Sequence, residues 1–224
     1  MVAFLSERVW FPPTRLADWT GLLAAGGDLS VERLRLAYRT GIFPWYSPPD
    51  PILWHAPPMR MVLLPERLHV GRTIEKWTRR GVYEIRFDTA FEQVMRRCGE
   101  VERPGQDGTW ISEEMVEGYC ALHRAGDAHS VEAWLDGRLV GGAYGVTQGR
   151  IFCGESMFSL EPNASKVAFT TLARALFETG YQLIDCQIYT DHSASFGAVE
   201  IPREAFELRL RVALGGVPTS VWPG

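Results

Sequence analysis

His129-Ser-Val-Glu-Ala-Trp-Leu135, Asp136-Gly137, Arg138-Leu-Val-Gly-Gly-Ala-Tyr-Gly-Val-Thr147, Gln148-Gly149 and Ile151-Phe-Cys-Gly-Glu-Ser-Met-Phe158 follow one another in close succession. Asp-Gly between two apolar runs is the pair favoured by a two-residue hairpin turn in which both residues take positive φ. The three runs therefore predict an antiparallel meander. From Ala164 to Thr179, apolar residues recur at 168, 169, 172, 175 and 176, one face of a 3.6-residue period, and Gly180 supplies the C-terminal stop of a helix. Tyr181-Gln-Leu-Ile-Asp-Cys-Gln-Ile188 reads as a short strand, 198–201 as a last strand and 203–214 as a last helix.

Meander, helix, strand, helix is the core order of the acetyltransferase-like (GNAT-type) fold, an α+β architecture with a mixed sheet. The residues before it differ in character. Phe11-Pro-Pro13, Gly26-Gly-Asp-Leu-Ser30 and Phe43-Pro-Trp-Tyr-Ser-Pro-Pro-Asp-Pro51 are rich in turn formers. One helix fits there, starting at Ser30 as N-cap and stopping at Gly41. The expected division is a small loop-rich N-terminal domain over 1–62 and the acetyltransferase-like domain over 63–224.

The 224 residues are 46% hydrophobic, enough for a substantial core. A net charge of -4 argues against a chain coated in nucleic acid, because such binders carry a basic excess that neutralises phosphates. A local patch is still compatible with it. Arg72, Lys76, Arg79 and Arg80 recur at helical spacing, with Arg67 just upstream, and form either a basic stripe or an ordinary solvated face. Cys98, Cys120, Cys153 and Cys186 include no Cys-x-x-Cys pair, so reduced thiols are expected, with neither a zinc site nor a disulfide framework. There is no export signal and no membrane-length apolar run, which points to a cytoplasmic protein without membrane partners.

An acetyltransferase of this fold offers glycine-rich backbone N–H groups after its third strand to the pyrophosphate of coenzyme A. Here the segment reads Cys153-Gly-Glu-Ser-Met-Phe-Ser-Leu-Glu-Pro-Asn-Ala-Ser165, with no Gly-x-Gly cradle and with Glu155 of like charge to a phosphate. A different acyl donor is implied.

Several strings carry a resemblance that spans nearly the whole chain. They are Gly21-Leu-Leu-Ala-Ala-Gly-Gly-Asp-Leu-Ser30, Gly41-Ile-Phe-Pro-Trp-Tyr-Ser47, Asp50-Pro-Ile-Leu-Trp54, Gly108-Thr-Trp-Ile111, Gly154-Glu-Ser-Met-Phe-Ser159, Asn163-Ala-Ser-Lys166, Ile184-Asp-Cys-Gln187 and His192-Ser-Ala-Ser-Phe-Gly-Ala198 with Ile201-Pro-Arg203. In this order and spacing they resemble the leucyl/phenylalanyl-tRNA–protein transferases. The resemblance implies that the aminoacyl end of tRNA is held between the two domains. It implies transfer of Leu or Phe, and also Met, from aminoacyl-tRNA to acceptor proteins with N-terminal Arg or Lys, marking them for degradation by the N-end rule. No cofactor and no metal are expected, because the ester of aminoacyl-tRNA is already activated and positioning supplies much of the rate.

The resemblance also assigns roles. Trp45 and Trp110 match positions that hold the terminal adenosine and its amino acid. Stacking of a base on such a face is worth roughly 1 to 3 kcal/mol; the alternative for both is plain burial. Tyr38, Phe152 and Leu172 match positions that shape the donor pocket, and Ser156 lies in the matching run beside Glu155. Ala143 stands where the family usually has Met and Phe169 where it has Leu, a trade in volume that bears on donor preference. The basic stripe on 72–80 is the expected landing site for the tRNA body.

Glu155 is the natural partner of the donor's free α-amino group. Asp185 and Gln187 are two apart on a predicted strand and so are expected on one face, with Cys186 opposite and out of the reaction. In this reading Gln187 offers its amide oxygen to the attacking amine, and Asp185 fixes the amide and accommodates positive charge. Replacing either by alanine is expected to cut transfer strongly with the fold intact. The alternative is a carboxylate–amide pair capping a loop. His192 is left outside the active set, since lone histidines are more often structural. Two rival functions are a small-molecule N-acetyltransferase, disfavoured by the missing pyrophosphate cradle, and a non-catalytic module that binds basic amino termini through Asp185 and Glu155.

Overall fold

The computed structural model describes residues 2–101, 111–216 and 218–222. The chain opens with β1 (Ala3–Leu5) and β2 (Leu22–Gly26), paired in parallel. Helix α1 (Val31–Arg39) follows, its first turn capped by the Ser30 hydroxyl, which accepts the Arg33 N–H. β3 (Phe43–Pro44) and β4 (Leu53–His55) complete a four-stranded sheet of order β1-β2-β4-β3. Pro44 sits on the edge strand β3, where a missing N–H interrupts no central ladder. Thus the first sixty residues hold four short strands besides the expected helix. At two to five residues each they are too short to show a period of two.

A second, larger unit follows. Its first half is β5 (Met59–Leu63), α2 (Arg72–Arg80), β6 (Glu84–Phe87), α3 (Phe91–Glu100) and α4 (Glu113–Arg124). Its second half is β7 (Ala128–Leu135), β8 (Arg138–Gln148), β9 (Ile151–Ser159), α5 (Ala164–Glu178), β10 (Leu183–Gln187), α6 (Asp191–Ser195), β11 (Val199–Pro202) and α7 (Arg203–Leu214). The strands form one sheet of order β11-β5-β10-β9-β8-β7-β6. All neighbours are antiparallel except β9 and β10. β7 to β9 are the predicted meander, and Asp136 and Gly137 take φ of 50° and 74°, the two left-handed residues that the hairpin turn requires. α5 starts and stops within one residue of its expected ends, with Ala168, Phe169, Leu172 and Leu176 buried.

Apolar side chains collect on both faces of the large sheet. One cluster, which includes Leu34, Trp54, Val62, Tyr119, Leu183 and Phe206, reaches from the small sheet to α4 and α7. The other, including Met61, Leu63, Phe152, Phe169, Leu172 and Ile184, lies under α2 and α5. Met61 and Leu63 therefore face one cluster and Val62 and Leu64 the other. This is why the run Met61-Val-Leu-Leu64 is continuously apolar: both faces of the sheet are covered. Among the described residues no helix is long and apolar enough to cross a membrane, and the four cysteines are free thiols.

Candidate active site

β9 and β10 pair in parallel from Leu183 opposite Ile151 to Asp185 opposite Cys153, and there the pairing stops. At the same level each strand bulges against its other neighbour. On β9 the residues opposite Tyr144 and Gly145 are Ser156 and Gly154, which leaves Glu155 as the extra residue. On β10 the residues opposite Val62 and Met61 are Asp185 and Gln187, which leaves Cys186. Bulges bend a strand and re-aim its side chains, and two at one level spread the parallel pair. At the gap lies a cavity of about 650 Å³, in the size range of small-ligand sites. Gly145 faces the β9 bulge: a Cβ there would collide with the Cys153 carbonyl oxygen and stand 2.5 Å from the Phe152 ring. Only glycine admits so close an approach.

The small sheet contributes Phe43, Pro44 and Trp45 to the cavity wall, and the large unit contributes Ala143, Phe152, Glu155, Ser156, Phe169 and Gln187 among others. Trp45 is exposed and meets the ring of His55 edge-on at 5.6 Å. Phe169 leans on Phe196 at 4.7 Å. Three expected site residues lie outside the lining. Leu172 is buried in the apolar cluster that also holds Phe169 and Phe152. Tyr38 is buried with its hydroxyl hydrogen-bonded to that of Tyr119, which in turn donates to Glu155 Oε2 at 3.3 Å. Asp185 is the third. Trp110 lies outside the described residues.

Asp185 and Gln187 do not share a face, contrary to their spacing. The Cys186 bulge adds a residue, and Gln187 takes φ of 62°, in the left-handed region. Asp185 is completely buried, and Arg60 Nε and Nη2 donate to its two oxygens at 2.8 and 2.6 Å. Its link to Gln187 is through the backbone, the Gln187 N–H donating to Asp185 Oδ1 at 2.9 Å. The Gln187 side-chain nitrogen donates instead to Glu155 Oε1 at 2.6 Å. Glu155, not Asp185, therefore orients the amide, and Gln187 Oε1 has no partner among the described residues. Cys186 lines the same cavity as Gln187, which corrects the expectation that it points away. Burial pushes its thiol up to about 12, so a thiolate nucleophile is absent near neutrality.

Burial also raises the Glu155 carboxyl to about 8. Hydrogen bonds from Tyr38 and Tyr119 oppose that rise, and the charge of Asp185 adds to it. The hydroxyls of Tyr38 and Tyr119 are driven well above the usual phenol range, first by burial and then by Glu155. They are hydrogen-bond donors at any working pH.

Sequence reasoning missed Arg60 and Tyr119. An arginine among Met59, Met61 and Val62 was the available signal, since a cation inside an apolar strand is buried only with a partner. His192, set aside on sequence, lines the cavity with a buried Nε2 that has no partner among the described residues, and burial lowers its pKa. Asp88, His123 and His129 bring ligand-capable atoms within 4.8 Å of one another. Both histidine Nδ1 atoms are already engaged, with the Ala128 carbonyl and with Asp88, and none of the three lines the cavity. Where a coenzyme A pyrophosphate would sit, two N–H groups at the start of α5 are consumed locally: Ala164 donates to the Glu161 carbonyl and Ser165 to Ser159 Oγ. Arg72, Lys76, Arg79 and Arg80 are exposed on α2, free of ion pairs among the described residues. α2 is tied to α5 by Glu75 and Arg174 at 2.6 Å.

A mixed sheet whose parallel pair splays beside a covering helix defines an acetyltransferase-like domain. The solved structure of FemX aligns with a TM-score of 0.51 over 76% of this chain and 66% of its own, at 12% identity, a likeness of fold alone. The sequence matches the leucyl/phenylalanyl-tRNA protein transferase family over residues 62–211 and the N-terminal domain of that family over 27–58. Similar proteins include the leucyl/phenylalanyl-tRNA–protein transferases of Myxococcus xanthus, 59% identical over 88% of this chain and 84% of theirs, and of Nitrosospira multiformis, 54% identical over 94% and 91%. That of Dechloromonas aromatica is 50% identical over 99% and 96%. The chain belongs to the leucyl/phenylalanyl-tRNA–protein transferase family, enzymes that move an aminoacyl group from tRNA to protein.

Proposed function

We propose that the enzyme transfers Leu, Phe or Met from charged tRNA to the α-amino group of acceptor proteins that begin with Arg or Lys, marking them for degradation by the N-end rule. The observation that carries this reading is the cavity at the β9/β10 splay, apolar along Ala143, Phe152 and Phe169 and polar at the paired Glu155 and Gln187. A two-unit division fits it, with the second unit beginning at β5 (Met59–Leu63) and not after residue 62, and with Trp45 of the first unit lining the cavity and available to stack on the terminal base.

In the reaction the acceptor amine attacks the ester carbonyl, an N–C bond forms, and the C–O bond to the terminal ribose breaks. The proton lost by the amine ends on the ribose oxygen. Gln187 Oε1 accepts a hydrogen bond from the attacking amine because its own nitrogen is committed to Glu155. Glu155 holds the donor's α-ammonium, and Tyr119, backed by Tyr38, holds Glu155. Incubation with labelled Phe-tRNA and a peptide beginning with Arg, followed by peptide mass measurement, tests the reading. A peptide mass that does not rise by one phenylalanyl residue refutes it.

The carboxylate of Glu155 forms only as pH approaches about 8. Transfer at subsaturating donor is therefore expected to climb from about pH 6 toward 8, and Glu155→Gln to flatten that climb. The folded chain favours the protonated carboxyl, so the wild type should lose stability relative to Glu155→Gln as pH rises from 4.5 through about 8. An identical pH profile in the variant would remove Glu155 from donor binding.

The α2 stripe gives a second expectation. Neutralising Arg72, Lys76, Arg79 and Arg80 should reduce the salt slope of tRNA binding by about three, while an aminoacyl-adenosine mimic binds as before. Equal effects on both ligands would exclude the stripe.

Ala143 and Phe169 both line the cavity. Phe169→Leu with Ala143→Met should shift the Leu to Phe transfer ratio by about 10- to 200-fold without abolishing either transfer, since one methylene's worth of fit is worth roughly 1 to 3 kcal/mol. A ratio that does not move would place the donor side chain elsewhere.

A further inference from the structure

We propose that Arg60 is a positioning residue for transfer, acting through Asp185 on the backbone of Gln187; this rests on the role given to Gln187 above. Arg60 is 2% exposed and sits behind the cavity wall without lining it. Its Nε and Nη2 donate to Asp185, and its Nη1 donates to the Gly41 carbonyl at 3.1 Å. The rings of Phe43 and Phe206 lie 4.7 and 4.6 Å from the guanidinium carbon, one from the small sheet and one from α7.

Stability alone does not account for this arrangement. Desolvating a buried ion pair takes back much of what its attraction gives, and apolar side chains of equal volume often serve a core as well or better. What the pair supplies is geometry. Asp185 Oδ1 receives both Arg60 Nε and the Gln187 N–H, so the guanidinium fixes the carboxylate and the carboxylate fixes the peptide unit of Gln187. That unit is in the left-handed region, which a residue other than glycine enters only under backbone strain. Regular strand geometry at 185–187 would restore alternation and change the face from which the Gln187 side chain leaves β10, undoing the geometry that brings its amide to Glu155. The bulge, and with it the position of the Gln187 amide beside Glu155, is held by the Arg60–Asp185 fork. The same guanidinium grips Gly41 and Phe43, so it sets the cavity wall of the small sheet in register with Gln187.

The experiment is a mutant cycle on the full chain, with Leu-tRNA and a peptide beginning with Arg. Wild-type transfer is the control, and its absence would sink the functional reading without bearing on Arg60. Arg60→Lys keeps the charge and loses the planar fork. It is expected to fold, to lower kcat about 10-fold, and to leave the KM for Leu-tRNA within about twofold. The Gln187 amide should exchange faster with solvent, while the amides of β7 and β8 keep their protection. In the Gln187→Ala background the same substitution should have no further effect on the residual rate, because the residue through which Arg60 acts is gone. A wild-type rate in Arg60→Lys, or a loss that multiplies with that of Gln187→Ala, overturns the proposal. If Arg60→Lys does not fold, Asp185→Asn replaces it in the same cycle, where the same loss of kcat supports the proposal and the same two results overturn it. Failure of both to fold makes the pair a stabilising element and also overturns the proposal.

Discussion

Gln187→Ala should lower transfer from Leu-tRNA to an Arg-initiated peptide by about 100-fold, the lower range for loss of a proton-handling group in the transition state. The side chain is half-buried at the cavity wall, and its amide oxygen is the uncommitted acceptor beside Glu155. Its removal leaves no charge without a partner, since Glu155 keeps the Tyr119 hydroxyl. Thermal unfolding should accordingly stay close to wild type. The loss should fall on kcat, because the interaction forms as the amine attacks and not when the donor binds. A variant that keeps the wild-type kcat, or that loses donor affinity alone, would show that Gln187 acts in binding and that the amine is received elsewhere.

Asp185→Ala should behave differently, and here the structure revises what the sequence implied. The substitution strands the Arg60 guanidinium in the interior, and breaking a buried pair from one side costs about 3 to 5 kcal/mol. For a domain of ordinary stability, about 5 to 15 kcal/mol, this is a large fraction. Lost activity in Asp185→Ala therefore cannot be read as lost chemistry without a parallel urea titration. Asp185→Asn, which keeps one acceptor oxygen and the volume, should be destabilised less. If the alanine variant unfolds within about 1 kcal/mol of the wild-type free energy, Asp185 is not what compensates Arg60.

The parts of the fold that were legible are those with local rules. Asp136-Gly137 between apolar runs dictated the hairpin, and the period of α5 dictated a helix within one residue of its ends. The stretch 81–127 carried the same helical period: α3 buries Phe91, Val94, Met95 and Cys98 at i, i+3, i+4 and i+7, and α4 buries Met115, Val116, Tyr119 and Leu122 on one face. At the site, the family resemblance pointed to Glu155 and Gln187, and both line the cavity. Spacing misled at Asp185 and Cys186 because a bulge formed by a cysteine and a left-handed glutamine leaves no glycine in the sequence to announce it. Arg60 and Tyr119 act from behind the cavity wall, through hydrogen bonds to residues far away in the chain, and no short motif encodes such partners.

Strand β5 lies between β10 and β11, so Val62 finds its neighbours in Asp185 and Val199. During synthesis that strand leaves the ribosome early and has neither partner until most of the chain has followed. Pairings so distant in sequence bear a large loop-closure entropy and form late. Arg60, on the same strand, meets Asp185 only at that stage. Gln187 therefore takes its place only after β10 has been made and paired with β5, and a nascent chain that stops short of β10 lacks that side of the cavity.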